Sequence, residues 1–308
     1  MQHEWTWLWI PATIFAAACQ VGRNAIQRSL TEQLGTIGAT QVRFLYGFPF
    51  AVLFTTIAII LTGSSMPGVN ASFLGFTFLG AISQIAATAL MLAAMRQRAF
   101  VVVTAWTKTE PVQVAVFGMV VLGDRLSISA IIAILVATVG VTIMAKRSPV
   151  LDQSQPQSPG WQPVVMGILA GAGFAVAAVA FRGGILALGQ DVHFFVGASW
   201  TLACGLGMQT LMLAVWMRIV QPEIWKKCLS AWRISIWGGL LGASASQGWF
   251  LGFALTAAAN VRTLGLVEVL FAQVLSWRVF LNKSTPREML GVVLIVLGVG
   301  MLLWVLPA

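Results

Sequence analysis

Residues 146–160 read Lys146-Arg147-Ser148-Pro149-Val150-Leu151-Asp152-Gln153-Ser154-Gln155-Pro156-Gln157-Ser158-Pro159-Gly160, the longest polar stretch in a chain of 308 residues, and they fall at its midpoint. Pro, Ser and Gln at this density make a linker rather than a packed element. On either side lie apolar runs long enough to cross a hydrocarbon core of about 30 Å, which takes roughly 20 helical residues. They are read at 5–27, 37–62, 72–95, 100–122 and 128–145 before the linker, and at 162–188, 193–217, 232–256, 263–281 and 288–306 after it. The expected organisation is all-α and integral to a membrane, with ten transmembrane helices: five over 1–147, a polar linker over 148–160, and five over 161–308.

Composition agrees with that reading. Hydrophobic residues make up 58% of the chain and charged residues 9%, against about 25% charged in soluble domains. A mean hydropathy of +0.89 makes the lipid bilayer the main solvent and leaves no room for a sizeable soluble domain. The net charge of +9 does not point to nucleic acid, because the basic residues collect at the ends of apolar runs. Arg28, Arg96, Arg98, Lys146, Arg147, Arg218, Lys226, Lys227, Arg233, Lys283 and Arg287 fall on one side, and only Arg125 and Arg262 on the other. The positive-inside rule then puts the loops after spans 1, 3, 5, 7 and 9 in the cytoplasm and both termini outside, in a multi-pass protein of the inner or plasma membrane. The start, Met1-Gln2-His3-Glu4-Trp5, has no basic region, so the first apolar run is expected to be retained. Cys19, Cys204 and Cys228 form no CxxC pair and share no ligand spacing with His3 or His193, so neither a disulfide framework, a metal nor another cofactor is expected.

The two sides of the linker overlay. Arg182 follows Arg23 by 159 positions, Glu268 follows Glu110 by 158, and Asn282-Lys283-Ser284-Thr285 follows Asp124-Arg125-Leu126-Ser127 by 158. An odd number of spans per copy inserts the second copy from the opposite side, so the repeats are expected to be inverted. That arrangement lets two half-bundles rock about a midplane site and give alternating access.

Two five-helix halves carry Thr109-Glu110-Pro111-Val112 and Val121-Leu122-Gly123-Asp124-Arg125-Leu126-Ser127 in the first, and Val267-Glu268-Val269-Leu270-Phe271-Ala272 and Phe280-Leu281-Asn282-Lys283-Ser284-Thr285 in the second. In these features the chain resembles the drug/metabolite transporter superfamily, specifically its EamA-type ten-helix carriers. The resemblance implies two inverted five-helix repeats and transport of a metabolite. It says little about which one, since similar members export amino acids and other metabolites, import sugars or choline, or move lipid-linked sugars. It also implies, for many such exporters, both termini inside, against the loop-charge count. The second half departs from the pattern, with Asn282-Lys283 in place of Gly-Glu and Val269 in place of Pro.

Charges inside the apolar runs are the candidate site. Each costs about 2.5–3.5 kcal/mol at a helix centre on insertion scales, so it pairs, lines a polar space or snorkels. Arg278, beside Trp277 near a helix end, is read as snorkelling. Arg23, Arg43, Lys108 and Arg182 are candidate substrate-binding cations, joined by the amides of Gln84 and Gln247, which lie 163 positions apart. Lys108 and Glu110 are two residues apart and face different ways on a helix, so each needs another partner. Pro111 cannot donate to the carbonyl of Thr107 and should kink the helix there. Glu110 and Glu268 serve either proton coupling or structural ion pairs with Arg23, Lys108 or Arg182, and the sequence leaves both open.

The expected activity is secondary active transport of a small anionic or zwitterionic metabolite, with protons as a candidate coupling ion. The alternative is translocation of a lipid or lipid-linked headgroup. The chain has no HExxH, no P-loop and no Ser nucleophile with a plausible His, so it is not read as an enzyme. Both monomer and homodimer are compatible with the sequence.

Overall fold

The computed structural model describes residues 3–95, 106–145, 161–280 and 285–305. Among them every regular element is helical. A 3-10 turn over His3–Leu8 leads into α1 (Trp9–Thr62), followed by α2 (Ala71–Met95), α3 (Glu110–Val121), α4 (Ile128–Ala145), α5 (Gln162–Ala187), α6 (Phe194–Val220), α7 (Pro222–Ser230), α8 (Trp232–Leu255), α9 (Ala258–Leu264), α10 (Val267–Phe280) and α11 (Pro286–Val305). Five stretches among the described residues are long and apolar enough to cross a bilayer: Gln33–Thr62, Ala71–Ala94, Val164–Ala187, Phe194–Val220 and Pro286–Val305. With large apolar side chains such as Ile60, Leu61, Val120, Ile219 and Trp304 facing outward, this is a membrane protein. The linker over 148–160 lies outside the described residues, as does the start of the fourth apolar run.

The sequence predicts a connection between the first two runs, over about 28–36. In the structure that connection is reduced to one residue: two helical arms, both counted in α1, meet at a kink on Gly35, at φ 69° and ψ 179°, a conformation open essentially only to glycine. Leu30 and Leu34, one helical turn apart, are buried against Met217 and Cys228. Their packing keeps the segment helical up to the last residue before the glycine.

The chain forms two compact units, one over 1–85 and 180–256, the other over 86–179 and 257–308. Each therefore draws on both sides of the linker. In the first, both arms of α1 pack along α8 and α6. Small residues set the distances: a Cβ on Gly248 would stand 2.5 Å from the Ala12 carbonyl, and the ring of Phe181 fills the space that side chains on Gly80 and Gly205 would need. In the second unit α4 lies along α11, where a Cβ on Gly140 would meet the Gly291 carbonyl at 2.8 Å and one on Gly298 would meet the Ala137 nitrogen at 2.6 Å. Lipid supplies no hydrophobic drive between helices, so dispersion at such close crossings is what holds them together.

Candidate functional site

In the second unit the fourth and ninth apolar runs are interrupted. Residues 108–109 form a turn ahead of α3, and Gly265 and Leu266 form one between α9 and α10. Tight local bonds carry the backbone across: Thr109 N–H donates to the Trp106 carbonyl at 3.3 Å and Val112 N–H to the Thr109 carbonyl at 3.2 Å, while Leu266 N–H donates to the Thr263 carbonyl at 3.1 Å and Glu268 N–H to the Gly265 carbonyl at 3.0 Å. Pro111 stands in the first turn of α3, where its missing N–H costs nothing. The second break forms without any proline, so the Val269 departure does not abolish it. The Thr107 carbonyl lies where a Cβ on Gly171 of α5 would be 3.0 Å away.

These breaks place four charges together. Glu110 and Glu268 fall in the first turns of α3 and α10, where helix dipoles favour anions, and Arg262 falls in the last turn of α9, where they favour cations. Lys108 Nζ donates to Glu268 Oε1, and Arg262 Nε lies 3.1 Å from Glu110 Oε1. Side chains in the two pairs are 9–15% exposed. Lys108 and Glu110 do not pair with each other, as their spacing predicts. Each acid instead takes a cation from the other side of the linker, and the four charges sum to zero.

Arg262 corrects the sequence reading. Counted there as a loop residue, it lies within α9 as the partner of Glu110, which the sequence assigned to Arg23, Lys108 or Arg182. The anticipated set did contain Lys108 for Glu268. Arg28 likewise sits within α1 rather than in a loop. Arg96, Arg98, Lys146, Arg147, Lys283 and the side chain of Arg278 lie outside the described residues.

The remaining candidate cations belong to the first unit. Arg182 of α5 donates through Nη1 to the carbonyls of Phe253, at 2.6 Å, and Thr256. These are at the C-terminus of α8, so the guanidinium caps unsatisfied carbonyls at the negative end of that helix. Arg23 and Arg43 sit on opposite sides of the Gly35 turn and converge on one residue of α8: a Cβ on Gly242 would lie 3.3 Å from Arg23 Cδ and 3.7 Å from Arg43 Cγ. Arg23 is buried and donates to Asn24 Oδ1 at 2.9 Å. The Arg43 guanidinium lies over the Phe44 ring, 5.3 Å from its centroid, a cation–π arrangement. Two turns along α8 from Gly242, Trp249 donates its indole N–H to Gln20 Oε1 at 3.1 Å.

The two candidate glutamines have protein partners. Gln84 Oε1 accepts from Gln209 Nε2 at 2.7 Å, and Gln247 Nε2 donates to Ser199 Oγ at 2.8 Å. The Gln247 Oε1 atom and the Trp200 indole N–H are both buried without a hydrogen bond. Gln20, Ser199, Gln209, Gly242 and Arg262 are thus participants that sequence reasoning missed. For Arg262 a signal existed: each buried acid needs a cation, and this one stands six residues before Glu268. For the others none existed, because a glycine, serine or glutamine in an apolar helix reads equally well as packing. Among the described residues no group of three or more His, Cys, Asp or Glu side chains is placed to hold a metal ion.

No family model matches the chain. None of the curated proteins matches it either. Solved structures do: one crystal structure superposes with a TM-score of 0.68 over 96% of this chain and 94% of its own, at 13% identity. Likeness at that identity is likeness of fold, and 28 solved chains match.

Proposed function

We propose that the chain is a secondary carrier of the EamA-type drug/metabolite transporter class, moving a small anionic or zwitterionic metabolite across the inner or plasma membrane by alternating access. On this reading its helices comprise ten spans in two inverted five-helix repeats. The observation that carries the proposal is the convergence of Arg23 and Arg43 on Gly242. Two guanidinium groups on a membrane-embedded helix are costly, and a bidentate anion such as a carboxylate or phosphate matches their donors. The other embedded charges have structural roles of their own: Glu110 and Glu268 pair with Arg262 and Lys108, and Arg182 donates to helix-end carbonyls.

The interrupted helices support the reading, since carriers built from inverted repeats use discontinuous helices near the midplane while one half rocks against the other. Pairing favours a structural role for the two acids over proton coupling, since protonating either would leave a buried cation uncompensated.

The test is uptake and efflux by purified protein in proteoliposomes against a broad panel of anionic, zwitterionic, neutral and cationic metabolites, with and without a pH gradient. Saturable movement of an anion or zwitterion, lost in Arg23→Gln and Arg43→Gln, supports the reading. Transport confined to neutral or cationic solutes, or competition by lipid alone, removes it.

A further inference from the structure

The segment between α6 and α8 does more than connect them. It is the longer of the two otherwise corresponding connections, 218–231 against 63–71, and it folds into α7, whose faces differ sharply. Ile224 and Cys228, four residues apart, turn inward with Trp225 onto Leu30, Leu34 and Met217. A Cβ on Gly38 would stand 3.0 Å from Ile224 Cγ2 and 3.4 Å from Cys228 Sγ, so α7 lies flush on α1. Its end is pinned by the Tyr46 hydroxyl, which donates to the Cys228 and Leu229 carbonyls at 3.2 Å each.

The opposite face is exposed and basic. Lys226 and Lys227 project from it, with Arg218 at the end of α6 and Arg233 at the start of α8, all exposed. Among the described side chains the acid alongside is Glu223, paired with Lys226 at 3.1 Å, so these four cations and one acid carry an excess of three positive charges. Around them Trp216, Trp232 and Trp237 are exposed, and the Arg233 guanidinium lies over the Trp232 ring, 5.6 Å from its centroid. Exposed Trp beside exposed cations at the end of α6, a helix long and apolar enough to cross a bilayer, and at the start of the neighbouring α8 marks the depth of lipid headgroups. A short amphipathic helix held there by its apolar face presents its cations to phosphate.

From these features we infer that α7, with Arg218 and Arg233, is a binding surface for anionic phospholipid headgroups. The inference stands apart from the transport reading and needs no substrate. Rigid seating on α1 fixes the spacing of the cations, and the tryptophans hold the glycerol region beside them.

The experiment titrates the full-length detergent-purified protein with phosphatidylglycerol or phosphatidylcholine, counts bound lipid by native mass spectrometry and follows thermal stability in parallel. Phosphatidylglycerol is expected to bind preferentially and raise the melting temperature. Each of Lys227→Gln and Arg233→Gln should cut that preference about fivefold, while Arg125→Gln, an exposed cation elsewhere, leaves it unchanged. Equal binding of the two lipids by the native chain would overturn the inference, as would a preference that survives the Lys227→Gln/Arg233→Gln double variant. Because the variants are surface changes, their melting temperatures without lipid should match the native one. A drop there with unchanged lipid preference would also count against it.

Discussion

Arg262 Nε stands 3.1 Å from Glu110 Oε1, joining the end of one half-helix to the start of another from the opposite side of the linker. Breaking a buried pair by removing one partner costs about 3–5 kcal/mol, because the other charge is left uncompensated. Glu110→Gln and Arg262→Gln should each lower the melting temperature of the detergent-purified protein clearly. The Glu110→Gln/Arg262→Gln double variant should recover most of the loss, giving a coupling of about 1–3 kcal/mol in a double-mutant cycle. Additive losses would show that the two side chains do not act together.

Arg23→Gln and Arg43→Gln are expected to weaken substrate binding in proteoliposomes by about 10- to 100-fold each, the range of a hydrogen bond to a charged group. Gly242→Leu, whose side chain would occupy the space of both stems, should abolish transport, and Gly242→Ala should reduce it moderately. Wild-type transport by Gly242→Leu would place the substrate elsewhere.

Arg182→Gln should act on stability rather than selectivity. Losing charged hydrogen bonds to the Phe253 and Thr256 carbonyls should cost about 1–2 kcal/mol. Thermal unfolding measures the loss, and an unaltered substrate ranking in the surviving transport separates Arg182 from Arg23 and Arg43.

A Cβ on Gly35 would meet nothing within 4 Å, so Gly35→Ala tests backbone conformation alone. The expected penalty is about 1–3 kcal/mol, read as a lower melting temperature. Wild-type stability in Gly35→Ala would mean that α1 turns elsewhere.

Burial pushes the Cys228 thiol up to about 11 from its ordinary value of 9.0. The folded chain thus favours the neutral thiol, and the contribution of this site to stability is complete below pH 9 and lost as pH rises through 11. With Cys19→Ala and Cys204→Ala in place, maleimide should label native Cys228 at pH 7.5 at about one hundredth of the rate seen after unfolding. Similar rates would show that α7 is not seated on α1.

The sequence alone determined the class of this protein and the extent of most of its helices. Runs of about 20 apolar residues have one stable form in a bilayer, and the α4, α5, α6, α8 and α11 boundaries follow the apolar runs within a few residues. It also singled out the embedded charges, whose cost in lipid makes them conspicuous, and the break at Lys108 and Thr109, which Pro111 announces. Tertiary structure decided which charges meet. Arg262 and Glu110 are 152 positions apart, and no local pattern encodes a contact of that range. The same holds for Gly242, which receives Arg23 and Arg43 only because α8 packs between the arms of α1, and for the bend at Gly35, where buried Leu30 and Leu34 keep helical a stretch whose polarity reads as a loop.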